Sequence, residues 1–301
     1  MERKKYRGGI PAFYACYAHP GNISPDRTRA LARYLLGKGV KGLYVGGSSG
    51  ECIYQSVQER KVILENVMAE VGGKLTVIAH VACNNTLDSQ ELARHAESLK
   101  VDAIAAIPPI YFHLPPYGIA EYWNDISAAA PNTDFIIYNI PQLAGVALTP
   151  ALLAEMQKNP RVIGVKNSSM PTQDIQMWKD QGGPDFVVMN GPDEQFVSGL
   201  AMGATGGIGG TFAVMPELFL KVWGLFYAGK VAEAAAVQND ICRIIYKMCS
   251  AHGNLYAVLK AILKKHGCDI GSVRKPLPAL IDSDLTVVDE ASAMIDAAIA
   301  K

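Results

Sequence analysis

The chain lacks the cysteine pairs that mark a disulfide framework or a zinc site. Its six cysteines (Cys16, Cys52, Cys83, Cys242, Cys249 and Cys268) show no C-x-x-C and no Cys/His spacing of the zinc type, so a reduced, cytoplasmic protein without bound metal is expected. Net charge is missing too: 28 basic side chains balance 28 acidic ones, with no basic cluster. Nothing is then available to neutralise a phosphate backbone or an anionic membrane, and a small-molecule partner is expected in place of nucleic acid or lipid. Nowhere do about eighteen apolar residues run without a charge or a turn signal, which argues against a membrane span. The basic start, Met1 to Arg7, could pass for the opening of an export signal, but Gly8 to Pro20 is broken by glycine and proline and holds His19, so none is expected.

What is present is 301 residues, 50% of them apolar, long enough to bury a large core. Eight short β-prone runs recur at a spacing of roughly thirty residues, the length of a strand, a returning helix and two loops. They are Gly9 to Tyr14, Gly42 to Val45, Thr76 to His80, Ala103 to Ile107, Phe135 to Tyr138, Val162 to Lys166, Phe186 to Met189 and Gly206 to Ile208. Each is apolar throughout instead of alternating, as strands covered on both faces are. Helix starts lie between them: Ser24-Pro25-Asp26, the capping box Ser56 with Glu59, Thr149-Pro150 and Met170-Pro171. Eight βα units with no surplus strand predict an α/β fold, a closed TIM (β/α)8 barrel over residues 1–228. Beyond it, Glu217 to Ala228, Val231 to Ser250, Tyr256 to Lys265 and Val288 to Ala300 are helical in period with no strand between them. They predict the eighth barrel helix and then a C-terminal helical extension, 229–301, packed on the barrel, with Lys275 to Pro278 as a loop.

Catalytic groups of a parallel barrel sit at the C-terminal ends of its strands. Those ends carry Gly46-Gly47-Ser48-Ser49-Gly50-Glu51, Ile110-Tyr111-Phe112, Tyr138-Asn139-Ile140-Pro141, Lys166, and Asn190-Gly191-Pro192-Asp193-Glu194. Lys166 closes an apolar strand with no acid close in sequence, so desolvation should lower its pKa from about 10.4 toward 7 or 8 and leave a neutral amine able to attack a carbonyl. A snorkelling lysine or a buried ion pair is the ordinary alternative. Tyr138 stands on the neighbouring strand, where it either closes the barrel end as an aromatic or moves a proton beside the amine. Ser48 and Ser49 follow two glycines, and such a turn offers backbone N–H groups and hydroxyls to a carboxylate or phosphate. Gly46, Ser48 and Gly50 also satisfy G-x-S-x-G, but the late histidines His252 and His266 fall in the extension, away from the mouth, which disfavours a serine hydrolase. The glycine-rich run Gly203 to Gly210 fails both nucleotide-binding patterns and is better read as close packing of the eighth strand, with a phosphate site as a minor alternative.

In that order on strands two, five, six and seven, these motifs resemble the pyruvate-dependent class I aldolases of the dihydrodipicolinate synthase and N-acetylneuraminate lyase family, over nearly the whole chain. The runs Gly42 to Ser48, Ile78 to Val81, Tyr138 to Pro141 and Ser198 to Leu200 are most similar to its lyase branch. The resemblance implies reversible cleavage of N-acetylneuraminate to N-acetylmannosamine and pyruvate, without metal or organic cofactor, by a homotetramer. It implies that Lys166 forms the imine, that Tyr138 takes the C4 hydroxyl proton, and that Ser48 and Ser49 hold the substrate carboxylate. Ser49 would relay protons to Tyr111, which in this family reaches across a subunit interface. Ser168 aligns with the usual threonine beside the lysine, and Gly191, Asp193 and Glu194 would accept hydrogen bonds from a polyol. Two departures are Ser49, where threonine is frequent, and Gly210, where a serine often contacts the polyol. Dihydrodipicolinate synthases carry an arginine where Leu143 stands, so condensation with aspartate semialdehyde is the lesser alternative, beside other 2-keto-3-deoxy sugar acid aldolases or dehydratases. A non-catalytic sensor of sialic acid or pyruvate is a third.

Overall fold

The computed structural model describes residues 2–18 and 21–301; His19 and Pro20, cited above against an export signal, lie outside the described residues, as does Met1. Eight parallel strands form the barrel: β1 (Gly8–Pro11), β2 (Gly42–Val45), β3 (Thr76–His80), β4 (Ala103–Ala106), β5 (Asp134–Asn139), β6 (Val162–Asn167), β7 (Val187–Asn190) and β8 (Gly206–Gly209). They follow the ring order β1-β8-β7-β6-β5-β4-β3-β2, and the ring closes where Ala12 bridges Tyr44 and Phe13 N–H donates to Tyr44 O (2.8 Å). This is the expected (β/α)8 barrel. The first strand is shorter than its apolar run because its partner β8 ends at Gly209, opposite Pro11.

The barrel helices are α1 (Pro25–Gly37), α2 (Val57–Val71), α3 (Thr86–Ser98), α4 (Pro116–Ala128), the short α5 (Pro141–Ala144), α6 (Pro150–Met156), α7 (Gln173–Gly182), α8 (Phe196–Ala201) and α9 (Pro216–Tyr227). Ser24 caps α1 and Ser56 with Glu59 completes the capping box of α2, as their sequences require. The helix expected from Met170-Pro171 begins two residues later, at Gln173. Three further helices follow: α10 (Val231–Met248), α11 (Leu255–Lys265) and α12 (Asp284–Ala300). The last starts four residues before its periodic run, where the Asp284 carboxylate accepts the N–H groups of Ile281, His252 and Gly253.

Two apolar layers result. One lies between strands and helices; the other fills the barrel with Ile10, Tyr44, Ile78, Ala103, Ala105, Ile136, Tyr138, Val187, Met189 and Ile208. Tyr6 plugs the N-terminal end, its hydroxyl on the Asp134 carboxylate (2.8 Å). Burial on both faces is why the strands read as unbroken apolar runs. The glycines of β8 are also explained by packing, since a Cβ on Gly206 would stand 2.3 Å from Gly8 O.

Candidate active site

Lys166 and Tyr138 are Cα partners on adjacent strands, and both turn into the barrel at its C-terminal end. An irregularity between Phe135 and Ile136 shifts the β5–β6 register so that Gly164 sits opposite Ile136 and Lys166 opposite Tyr138. The lysine is 4% exposed, its Nζ 3.9 Å from the Tyr138 ring centroid and 4.0 Å from that of Tyr44. Burial lowers its pKa to about 7, against the opposing pull of Asp193 and Cys52. The two ring faces favour the ammonium by about 0.5–2 kcal/mol, less than the ~5 kcal/mol that the drop from 10.5 represents, so desolvation wins. The expected depressed lysine is thus found with its expected cause.

Burial pushes the Tyr138 phenol up to about 12, while the hydroxyls of Ser48 and Ser168 beside it pull the other way. Below it, Tyr44 and His80 complete a cluster of rings 5.7–6.2 Å apart. His80 Nδ1 lies 2.8 Å from Gly46 O, and burial together with the Arg60 guanidinium holds the imidazole neutral.

The Ser48–Gly50 segment is a single 3₁₀ turn closed by Gly50 N–H to Gly47 O (3.0 Å) and Glu51 N–H to Ser48 O (2.9 Å). Ser49 is buried, and its Oγ lies 3.4 Å from the Tyr256 hydroxyl. Tyr256 belongs to the first turn of α11, capped by Asn254, so the extension reaches the mouth. Sequence reading missed this residue; the only signal was the Asn254 cap, which says nothing about what the helix lies against. Tyr111 is not brought to Ser49 within one chain: it is 86% exposed and packs edge-on against Phe112 (5.1 Å). The hydrolase alternative gains no base: no hydrogen bond joins a histidine to Ser48 or Ser49 among the described residues, His252 lies in the loop before α11 with its backbone N–H on Asp284, and His266 Nε2 faces Ser292 Oγ.

On the far side, Gly191 N–H donates to Asn167 O (2.7 Å), and a Cβ there would stand 1.9 Å from Ser168 Oγ, so only glycine lets the β7 end pass Ser168. Asp193 is buried; its Oδ2 accepts both the N–H and the hydroxyl of Thr211 (2.6 Å each), while Oδ1 has no partner among the described residues. Burial pushes this carboxyl up to about 7 despite those bonds. Glu194 is exposed, and Leu143 is exposed on α5. Gly210 O accepts the Tyr14 hydroxyl (2.5 Å), and a Cβ on Gly210 would meet Ser49 Oγ at 3.2 Å. Among the described residues no group of three or more His, Cys, Asp or Glu could hold a metal. The chamber therefore joins an amine whose pKa burial lowers, a phenol, a hydroxyl-lined turn and a buried carboxyl, a set suited to imine formation at a ketone and proton transfer nearby.

Residues 5–294 match the model of the dihydrodipicolinate synthetase family. An N-acetylneuraminate lyase of Mediterraneibacter gnavus is 68% identical over 293 residues, covering 97% of this chain and 93% of that protein. One from Salmonella agona is 35% identical over 280 residues, covering 91% and 92%. A structure described as a Ruminococcus gnavus sialic acid aldolase catalytic lysine mutant superposes with a TM-score of 0.97 at 67% identity, covering 98% of this chain and 97% of that one.

Proposed function

The chain belongs to the dihydrodipicolinate synthetase family, and from that membership we propose that it is a carbon–carbon lyase that cleaves N-acetylneuraminate reversibly to N-acetylmannosamine and pyruvate. The observation that carries the chemistry is the Lys166 amine, buried against two tyrosine rings with its pKa depressed to about 7. Support for a lysine in this role comes from the R. gnavus aldolase, whose mutant is described by its catalytic lysine.

In the reaction, the neutral Lys166 amine adds to the C2 ketone of the open-chain sugar acid, and the carbinolamine takes up one proton and loses water to leave a protonated imine. The C4 hydroxyl proton leaves by way of the Tyr138 oxygen, which the hydroxyls of Ser48 and Ser168 stabilise, and passes to water, from which an equivalent proton returns at C3. The C3–C4 bond breaks, its electron pair moves into the enamine, and N-acetylmannosamine departs as the aldehyde. Protonation at C3 and addition of water then return pyruvate and free Lys166. The Ser48–Ser49 turn holds the carboxylate, and the free Oδ1 of Asp193 with Gly191 and Glu194 receives polyol hydroxyls. Tyr256 stands beside Ser49, next to the hydroxyl-free Gly210.

Residues 1–228 act as the barrel and 229–301 as an extension that completes it. Exposed Tyr111 and Phe112 fit a homotetramer in which Tyr111 serves a neighbouring subunit's site. Six free cysteines fit the cytoplasm, and among the described residues no helix is long and apolar enough to cross a membrane. Incubation with pyruvate and either N-acetylmannosamine or aspartate semialdehyde tests the assignment. Faster consumption of the sugar is expected, and faster consumption of the semialdehyde would overturn it.

A further inference from the structure

Behind the Ser48–Ser49 turn lies a buried ion pair, Glu51 with Lys260, that has no part in the bond-making and bond-breaking steps. Glu51 ends the turn, and its backbone is left-handed (φ 54°), a conformation that costs a non-glycine residue about 1–2 kcal/mol. Its side chain is fully buried, as is that of Lys260 on α11, 209 residues further along the chain. Lys260 Nζ donates to Glu51 Oε1 (2.5 Å) and to Ser272 O (2.9 Å), with the Tyr17 ring 4.7 Å away. The other carboxylate oxygen, Oε2, accepts Arg274 N–H (3.0 Å). The Arg274 guanidinium carries the contact outward, to the Glu59 carboxylate and to the carbonyls of Tyr54 and Gly21.

Such a pair is a poor source of stability. Desolvating two charges offsets most of their attraction, and a well-packed apolar pair of similar volume does as well or better. What the arrangement supplies is a single orientation: both carboxylate oxygens have their own donor, and the donor side is fixed by Ser272 and Tyr17. Because Glu51 N–H bonds directly to Ser48 O, the orientation of Glu51 sets the backbone of the turn.

We propose that Glu51 and Lys260 are positioning residues that hold the Ser48–Ser49 N–H and hydroxyl groups at the spacing a substrate carboxylate requires. The C-terminal extension thereby completes the carboxylate half of the site. This rests on the reading of the turn as the carboxylate holder and of Lys166 as the imine-forming amine.

The test compares two ketones, pyruvate and hydroxyacetone, the second lacking a carboxylate. Each is titrated against the full-length protein with cyanoborohydride, and the adduct is followed by intact mass. Glu51→Gln leaves one acceptor oxygen where two donors converge, and Lys260→Met leaves the buried carboxylate without its cation, on Arg274 N–H alone. Either change should raise the half-saturating pyruvate concentration about 10- to 100-fold, the loss of a hydrogen bond to a charged group. Trapping at saturation, and the hydroxyacetone titration, should stay as in the unmodified protein. The double variant E51Q/K260M leaves no lone buried charge, so it should regain melting temperature lost by K260M without regaining pyruvate affinity. It also decides the matter should K260M fail to fold. Equal weakening for both ketones, no change for either, or recovery of pyruvate affinity along with melting temperature would overturn the positioning role. Absence of any pyruvate adduct in the unmodified protein would instead remove the imine reading itself.

Discussion

The rate at which Lys166 captures pyruvate should break near pH 7. Burial sets this lysine at about 7 where an exposed one titrates at 10.5. At neutral pH about half of the amine is then uncharged, against roughly 3 in 10,000 for an unperturbed lysine, a gain in reactive form of about a thousandfold. Lowering the pH from 8 to 6 takes the neutral fraction from about nine-tenths to just under one-tenth, about a tenfold loss, where an ordinary lysine would lose a hundredfold. The assay is the rate of adduct formation with subsaturating pyruvate and cyanoborohydride, measured by mass from pH 5.5 to pH 10. A rate that rises with unit slope below the break and levels above it is the expected profile. Continued tenfold gain per pH unit up to pH 10 would refute the desolvated amine.

Three other substitutions follow from the same geometry. Lys166→Met should abolish turnover and stabilise the fold by a few kcal/mol at pH 7. Between about 7 and 10.5 the unfolded chain binds a proton that the buried lysine does not, so stability rises with pH through that window and the burial cost stands in full below it. Urea midpoints at pH 7 and pH 10 check this, with a gain at pH 7 that shrinks at pH 10; a variant no more stable than the parent at pH 7 would contradict it. Tyr138→Phe should lower kcat by about 10²–10⁴ while pyruvate is still trapped, since only the proton transfer at C4 is lost. Asp193→Asn removes the charge that favours the Lys166 ammonium, so the break in the trapping profile should move below pH 7; a move upward would show that Asp193 acts otherwise.

The barrel and the Lys166–Tyr138 pair were legible because each rests on a local pattern. Apolar runs such as Val162 to Val165 mark strands covered on both faces, and a lysine closing such a run has to lie at the barrel mouth. The β5–β6 register then made Tyr138 its neighbour. Tyr256, Lys260 and Thr211 were not legible. Tyr256 and Lys260 occupy an ordinary amphipathic helix, and only the long-range approach of α11 to the turn after β2 gives them their partners Ser49 and Glu51. Thr211 follows a glycine run whose composition reports close packing alone, yet it fixes the Asp193 carboxylate. Tyr111 shows the converse limit: its motif placed it at the site, while a single chain leaves it in solvent.

Site mapping of the reduced adduct tests the central claim most directly. After incubation with pyruvate and borohydride, proteolysis and peptide sequencing by mass should find one reduced pyruvate, on Lys166. No adduct, or an adduct on another lysine with a lowered pKa such as Lys260 or Lys179, would contradict the account.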